Sequence, residues 1–127
     1  MGLIYSPITI TNFLDPTKEV KCDALVDTGA SYLTLPSAWK EKLGELELID
    51  TFDIEIATQE KVKGELYGPV KVQLEGFRPV YTEVLFIDMQ PTNGSYEPLV
   101  GYLLLEQVPI AIDMLSHRLL KGRAILK

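Results

Sequence analysis

The chain has 127 residues, of which 46% are hydrophobic, and it carries a formal net charge of −6. This length predicts a single domain over residues 1–127, and the composition excludes the disordered class. Because the balance is acidic and no basic run occurs, nucleic acid is not expected as a partner.

Several features favour a cytoplasmic protein without a membrane partner. Cys22 is the single cysteine, so it cannot form an internal disulfide, and we expect a small core residue in a reducing compartment. The N-terminal residues lack a basic segment followed by an apolar run, which argues against a signal peptide. No apolar run approaches the ~20 residues that cross a bilayer.

The first two elements predict a β-hairpin. Leu3 to Thr11 and Val20 to Val26 both alternate in polarity, and the segment between them, Asn12 to Lys18, has the composition of a turn. The second strand would end at Asp27, so the hairpin would deliver this carboxylate.

The residues around Asp27 read Ala-Leu-Val-Asp-Thr-Gly-Ala-Ser, which predicts a buried strand that turns at once. The hydroxyls of Thr28 and Ser31 can bond the turn's backbone, and Gly29 permits dihedrals or close approaches that a side chain would forbid. A carboxylate on rigid backbone suits catalysis. Taken alone, these residues also fit a strand that ends in an Asx-type turn.

A short strand, Tyr32 to Leu35, and a helix, Pro36 to Leu43, are predicted next. Trp39 and Leu43 lie four residues apart on one helix face, and Gly44 ends the helix. We expect Trp39 to anchor the core.

The middle of the chain predicts a long hairpin, Glu47 to Leu66, with a polar tip at Thr58 to Lys61. Gly68-Pro69 is expected to separate it from a further strand, Val70 to Leu74. Val80 to Ile87 is another strand, and because its second half is apolar on both faces it should run through the core. The longest loop then spans Asp88 to Pro98.

The last third begins with Leu99-Val100-Gly101, followed by a helix from Tyr102 to Gln107 that Pro109 ends. A strand, Ile110 to Ile112, and a turn, Asp113 to His117, come next. Leu119-Leu120 is expected to begin a final pairing toward Ala124 to Leu126. Since His117 is the only histidine, no metal cluster or Ser/His/Asp arrangement is predicted.

Two motifs in this order resemble the retropepsin-like aspartic proteases, in their short single-lobe form. Asp27-Thr28-Gly29 resembles the active-site loop, and Leu99-Val100-Gly101 resembles the strand that crosses beneath that loop. The order of the predicted elements fits this family over nearly the whole chain. The resemblance implies a mostly-β closed barrel of the acid-protease type with two short helices and one lobe per chain.

The resemblance also implies roles for the loop residues. Asp27 would be catalytic, the Thr28 hydroxyl would lock the two loops of the site together, and Gly29 would lie close to substrate. Ala30 and Ser31 would complete the loop.

In the same resemblance, Ala57, Thr58, Gln59 and Glu60 belong to the flap, a hairpin tip that closes over bound peptide. Gln59 stands where family members commonly have a glycine. This departure bears on the mobility of the flap and leaves the hairpin itself unaffected.

The number of carboxylates predicts the assembly. Aspartic-protease chemistry needs two carboxylates that share one proton, and no second Asp-Thr/Ser-Gly occurs in the chain. An active site would therefore require a homodimer in which Asp27 meets its copy across a two-fold axis. It would hydrolyse an extended peptide or protein substrate without a metal or another cofactor.

Two alternatives remain open from the sequence. One is a non-catalytic peptide-binding or assembly module on the same fold, which Gln59 and the acidic balance favour. The other is an unrelated small β-barrel in which Asp-Thr-Gly occurs by chance.

Overall fold

The computed structural model describes residues 3–55 and 60–122 of the chain. Within these ranges the protein is mostly β, with two short helices. In chain order the elements are β1 (Tyr5–Asn12), β2 (Glu19–Val26), β3 (Leu33–Pro36), a 3₁₀ helix (Ser37–Leu43), β4 (Glu47–Glu55), β5 (Lys61–Leu74), β6 (Val80–Ile87), β7 (Leu99–Val100), α1 (Tyr102–Gln107), β8 (Ile110–Asp113) and β9 (Arg118–Lys121).

Six of the strands close into a barrel. They follow the order β1-β2-β7-β3-β6-β5, and β5 pairs back with β1 to complete the ring. The pairs β2–β7 and β3–β6 are parallel, while β1–β2, β3–β7, β5–β6 and β1–β5 are antiparallel. The expected mostly-β closed barrel with two short helices is therefore confirmed.

The core fills the interior of this barrel, and the alternating strands supply it as their patterns predict. Ile8 and Ile10 of β1 are 2% and 0% exposed, and Ala24 of β2 is fully buried. Cys22 shares the face of Ala24 and packs against the core while remaining half-buried. Its burial raises the pKa of the thiol to about 11, so Cys22 is protonated at neutral pH.

The first helix differs in type from the prediction, which allowed Pro36 or Ser37 as its first residue. It is a 3₁₀ helix that begins at Ser37, because Pro36 still belongs to β3, where it is extended and pairs with Ile87. The helix ends as expected at Gly44, which has a φ of 70° and donates its N–H to the Glu41 carbonyl at 3.1 Å. Trp39 packs against the core from this helix, half-buried.

The predicted break at Gly68-Pro69 is wrong, because β5 is one strand of 14 residues. Its first part pairs with β4 and its last part, from Val70 to Leu74, pairs with β1. The dipeptide instead lies where the register with β6 shifts, between Tyr67 and Val70. A bulge accommodates a proline there since the missing N–H interrupts no ladder hydrogen bond.

The predicted long hairpin is confirmed as β4–β5, which pairs from Glu47 opposite Gly68 up to Glu55 opposite Lys61. Of the four residues that the resemblance assigns to the flap, Glu60 is exposed. The other three, Ala57, Thr58 and Gln59, lie outside the described residues.

The C-terminal strands form a separate hairpin. Leu119 and Leu120 pair with Ile112 and Ala111 of β8, while the expected partners from Ala124 to Leu126 lie outside the described residues. His117 is an exposed turn residue with a φ of 53°, as predicted. In the part of the chain that is described, neither helix has the length and hydropathy to cross a membrane.

A buried asparagine joins the first hairpin to the end of the 3₁₀ helix. Asn12 is 3% exposed, and its Nδ2 donates to the carbonyls of Leu43 and Glu45, both at 2.7 Å. Its Oδ1 accepts from the N–H groups of Leu14 and Asp15 at 2.9 and 3.3 Å. One side chain therefore satisfies four backbone groups that secondary structure leaves unpaired.

We expect Asn12→Ala to lower the free energy of unfolding by about 3 kcal/mol, because buried donors and acceptors would lose their partners. Urea denaturation measures this change. The control is Asn93→Gly: Asn93 is exposed at a φ of 53°, which glycine adopts readily, so the change should stay below about 0.5 kcal/mol. Equal effects of the two substitutions would contradict the role of Asn12.

Candidate active site

Parallel pairing with β7 fixes the position of Asp27. Leu25 lies opposite Leu99 and Val26 lies opposite Val100. The Asp27 N–H donates to the carbonyl of Val100 at 3.0 Å, so β2 is held up to its last residue. The carboxylate therefore projects from the end of a barrel strand.

The turn after Asp27 is closed by the aspartate itself. The N–H of Gly29 donates to Asp27 Oδ1 at 2.9 Å, and the N–H of Ala30 donates to the Asp27 carbonyl at 3.1 Å. The Asx-type turn is thus present. The expected bonds from the hydroxyls of Thr28 and Ser31 do not occur among the described residues, where backbone N–H groups close the turn.

The first residues of α1 form hydrogen bonds to the same loop. The N–H of Tyr102 donates to the Ala30 carbonyl at 2.9 Å, and that of Leu103 donates to the Ser31 carbonyl at 3.2 Å. The first N–H groups of a helix have no partner within the helix, so here the loop carbonyls satisfy them. The helix and the loop are therefore joined backbone to backbone.

Gly101 makes this junction possible. A Cβ at this position would lie 2.5 Å from the carbonyl carbon and 2.6 Å from the oxygen of Ser31, and 2.7 Å from the nitrogen of Tyr32. Backbone atoms cannot yield as the end of a flexible side chain can. The expectation that Leu99-Val100-Gly101 lies beneath the loop agrees with this contact and with the pairing of β7.

A cleft of about 730 Å³ opens on one side of Asp27. Gly29, Ala30 and Ser31 of the loop line it together with Asp27. Its walls are mostly apolar, with one carboxylate at Glu55, and come from β3, β4, β6 and β7 and from the residue before β3: Tyr32, Thr34, Phe52, Ile54, Glu55, Leu85, Ile87 and Leu99. A half-buried carboxylate thus faces a space that would accept apolar side chains.

The sequence analysis did not assign the walls of the cleft. The doubly apolar end of β6 was expected to lie in the core, and Val84 and Phe86 are indeed fully buried. The alternate residues also line the cleft: Leu85 is 6% exposed and Ile87 is half-buried. The sequence did offer a signal for these walls. The second half of β6 is apolar on both faces, so one face could pack in the core while the other lined a cleft near the Asp27 motif.

The β4–β5 hairpin reaches the loop through an aromatic contact. The rings of Tyr32 and Phe52 lie 6.2 Å apart between centroids. Further along, Lys40 Nζ of the 3₁₀ helix contacts Glu65 Oε1 of β5 at 2.6 Å. Their hydrogen bond raises the pKa of Lys40 and lowers that of Glu65, so both stay charged at neutral pH and join the hairpin to the body of the barrel.

A smaller cavity of about 160 Å³ lies on the other side of Asp27. Thr28, Ile112 and Met114 line it, with Leu3 and Ile4 from the N-terminal segment. Thr28 is exposed there. The aspartate is thus placed between a large cleft and a second surface that is mainly apolar.

The described residues contain no group of three or more histidine, cysteine, aspartate or glutamate side chains placed to hold a metal ion.

Comparison with known proteins identifies the fold. No protein-family model matches the chain, and no curated protein sequence matches it. A solved structure of EIAV protease complexed with the inhibitor HBY-793 is similar, with a TM-score of 0.60 and 20% identity, and the match covers 84% of this chain and 88% of that one. The chain therefore has a retropepsin-like fold, as its motifs led us to expect.

Gly101→Ala should lower the free energy of unfolding by about 3 kcal/mol, because the added Cβ would displace backbone in a packed junction. Denaturant titration measures the effect. Gly29→Ala is the control: the nearest atom to its added Cβ is Asp27 Oδ1 at 3.2 Å, on a side chain that can shift, so the loss should be about 1 kcal/mol or less. A Gly101→Ala protein as stable as the parent would show that the loop does not depend on this contact.

Proposed function

We propose that this protein is an aspartic endopeptidase that acts as a homodimer. The observation that carries the proposal is the Asp27 carboxylate, held by backbone hydrogen bonds at the end of β2 and facing an apolar cleft of about 730 Å³. Catalytic groups must be held closely to be effective, and a strand end on a closed barrel is rigid. The retropepsin-like fold agrees with this chemistry.

The dimer follows from the requirement for two carboxylates. The chain has one Asp-Thr-Gly sequence, so the second aspartate must come from a second copy. A two-fold axis beside Asp27 would bring the two side chains together. Thr28 is exposed on the side away from the cleft and would reach the loop of the other copy, which is the role that the resemblance implies.

The chemistry is proton transfer around a bound water. Two adjacent carboxyl groups cannot both ionise, so the pair holds one proton. The ionised Asp27 takes a proton from the water as its oxygen attacks the peptide carbonyl carbon, and the protonated Asp27 gives its proton to the carbonyl oxygen. The Asp27 that took the proton from the water then gives it to the nitrogen, and the C–N bond breaks as one hydroxyl of the tetrahedral intermediate returns its proton to the other Asp27. No metal or other cofactor takes part in these steps.

The substrate would be an extended peptide in the cleft. Strand-like peptides are bound by main-chain hydrogen bonds, with pockets for alternate side chains. These side chains would contact apolar residues of β6 and of the β4–β5 hairpin, namely Leu85, Ile87, Phe52 and Ile54. Residues 57–60 at the tip of the hairpin would close over the peptide as a flap.

Asp27→Asn should abolish peptidase activity and leave a dimer at least as tight as that of the parent. The amide cannot act as a general base, and it removes the repulsion between two carboxylates while nearly keeping the shape. Cleavage of a peptide library measures activity, and sedimentation measures association. The parent's activity should peak on the acid side of neutrality and fall as both carboxylates ionise.

The control is Asp88→Asn, which changes an exposed aspartate and should leave activity and association unchanged. Retained activity in Asp27→Asn would eliminate the catalytic role. An inactive parent whose dimer affinity does not respond to Asp27→Asn from acid to neutral pH would favour the binding or assembly module on the same fold.

A further inference from the structure

A glycine lies in the middle of the apolar wall of the cleft. Gly64 of β5 is directly opposite Phe52 of β4 on one side and directly opposite Ile87 of β6 on the other. Directly opposed residues of an antiparallel pair place their side chains on the same face of the sheet. A side chain at position 64 would therefore point toward the cleft, between Phe52 and Ile87, both of which line it.

Two neighbouring side chains occupy the space that the missing side chain leaves. Gly64 itself is buried, and a Cβ there would lie 2.7 Å from Ile54 Cδ1 and 3.0 Å from Leu85 Cδ1. Carbon atoms that are not bonded to each other pack at ~3.5–4.0 Å, so both contacts would be too close. Since Ile54 and Leu85 also line the cleft, their position against Gly64 leaves the cleft wider.

The backbone at this position does not require a glycine. The glycines of the described residues that adopt a positive φ are Gly44, Gly76 and Gly94, whereas Gly64 has the extended backbone of β5. A glycine inside a strand weakens the strand, and it often marks a place that a ligand or another part of the chain approaches closely. The reason for a glycine at position 64 therefore lies in the space beside it.

We infer that Gly64 determines how large a substrate side chain the cleft accepts. With glycine at this position, Ile54 and Leu85 pack back against the sheet, and the cleft admits a large apolar side chain such as that of phenylalanine. A larger residue would push Ile54 into the cleft and select small side chains. This inference rests on the proposed function, because it names the class of peptide that the proposed active site takes.

Ile54 is the side chain that would move. Leu85 is 6% exposed, so packed neighbours surround it. Ile54 is half-buried and borders the open cleft. Added volume in a packed region shifts the side chains around it, and Ile54 has room to shift on the cleft side. Gly64 is thus a positioning residue that acts through Ile54.

Gly64→Ala tests the inference with one added methyl group. The parent and the variant cleave a peptide library, and kcat/KM is compared for peptides that differ only by phenylalanine or alanine at one position. At the position that reaches Ile54, the phenylalanine-to-alanine ratio should fall about tenfold, since one methylene changes discrimination by about this factor in an apolar pocket. The ratios at the other positions should stay unchanged.

Ile54→Val supplies the rescue. Valine lacks the Cδ1 atom that the methyl group of Gly64→Ala would meet at 2.7 Å. The double variant should therefore regain the parent's ratio to within about twofold, because the two positions are in contact and their effects are coupled. A merely structural role of Gly64 would not give this rescue, since removal of a further methyl group from the wall lowers stability again.

The matched control is Gly68→Ala, which adds a methyl group to the same strand. Its Cβ would lie 3.3 Å from Ile49 Cδ1 and 3.3 Å from the Thr82 carbonyl oxygen. Neither Ile49 nor Thr82 is among the described residues that line the cleft. Gly68→Ala should therefore leave the ratio unchanged, and an equal fall for Gly68→Ala would overturn the inference.

Peptide binding separates this inference from the peptidase activity. Fluorescence anisotropy of the same peptides on Asp27→Asn protein, with and without Gly64→Ala, gives the ratio of dissociation constants without turnover. An inactive parent whose binding ratio falls with Gly64→Ala and recovers with Ile54→Val would support the inference and count against the peptidase.

Three results would overturn the inference. A parent that cleaves peptides with the same selectivity as Gly64→Ala would do so and leave the proposed function standing. A fall in the ratio that Ile54→Val does not restore would also overturn it. A parent that neither cleaves nor binds any peptide of the library would overturn both the inference and the proposed function.

Discussion

The contact between Gly101 and the backbone of the Asp27 loop is the constraint on which the site depends. Two bonds to loop carbonyls, from Tyr102 and Leu103, lie on one side of it, and the bond from Asp27 to Val100 lies on the other. The loop therefore has few ways to move without breaking the sheet or the start of α1. A carboxylate held in this way keeps its direction while the side chains around it vary.

The division of β6 between core and cleft explains how a barrel of this size has both a packed core and a mainly apolar cleft. Val84 and Phe86 fill the interior, and Leu85 and Ile87 face the cleft from the same strand. Since adjacent residues of a strand point to opposite faces, a substitution at a cleft position leaves its core neighbours in place. The side chains that line the cleft can thus change without loss of the core.

Local patterns predicted the elements whose signals lie within a few residues. The β1–β2 hairpin was predicted from alternation and α1 from a helix ended by a proline, whereas β7 was expected only from the resemblance. The strand partners could not be predicted in this way, because the parallel pairing of β2 with β7 joins residues more than 70 positions apart. Gly68-Pro69 was misread for the same reason: whether it breaks a strand or occupies a bulge depends on β6.

The same distinction between local and distant signals holds for the candidate site. Asp27 and its loop were found from contiguous residues, and their support by Leu99 to Gly101 was expected only from the resemblance. The cleft walls were missed because Tyr32, Phe52 and Leu85 come from separate strands. The hydrogen bonds expected from the Thr28 and Ser31 hydroxyls to the turn's backbone are absent from the described residues. The sequence does not show whether side chains or backbone N–H groups close a turn.

Charge favours association through backbone and apolar groups. Each chain carries a formal charge of −6, so two copies repel one another at long range. The one acid on β8, Asp113, is held within its own turn by hydrogen bonds from Ser116 and Leu115, and Arg118 Nε lies 3.8 Å from it. The hydrogen bond from the Ser116 side chain lowers the pKa of Asp113, so this carboxylate remains ionised and paired inside one chain. The contacts of the proposed dimer must therefore come from the groups that this long-range repulsion affects least, which are peptide groups and apolar side chains.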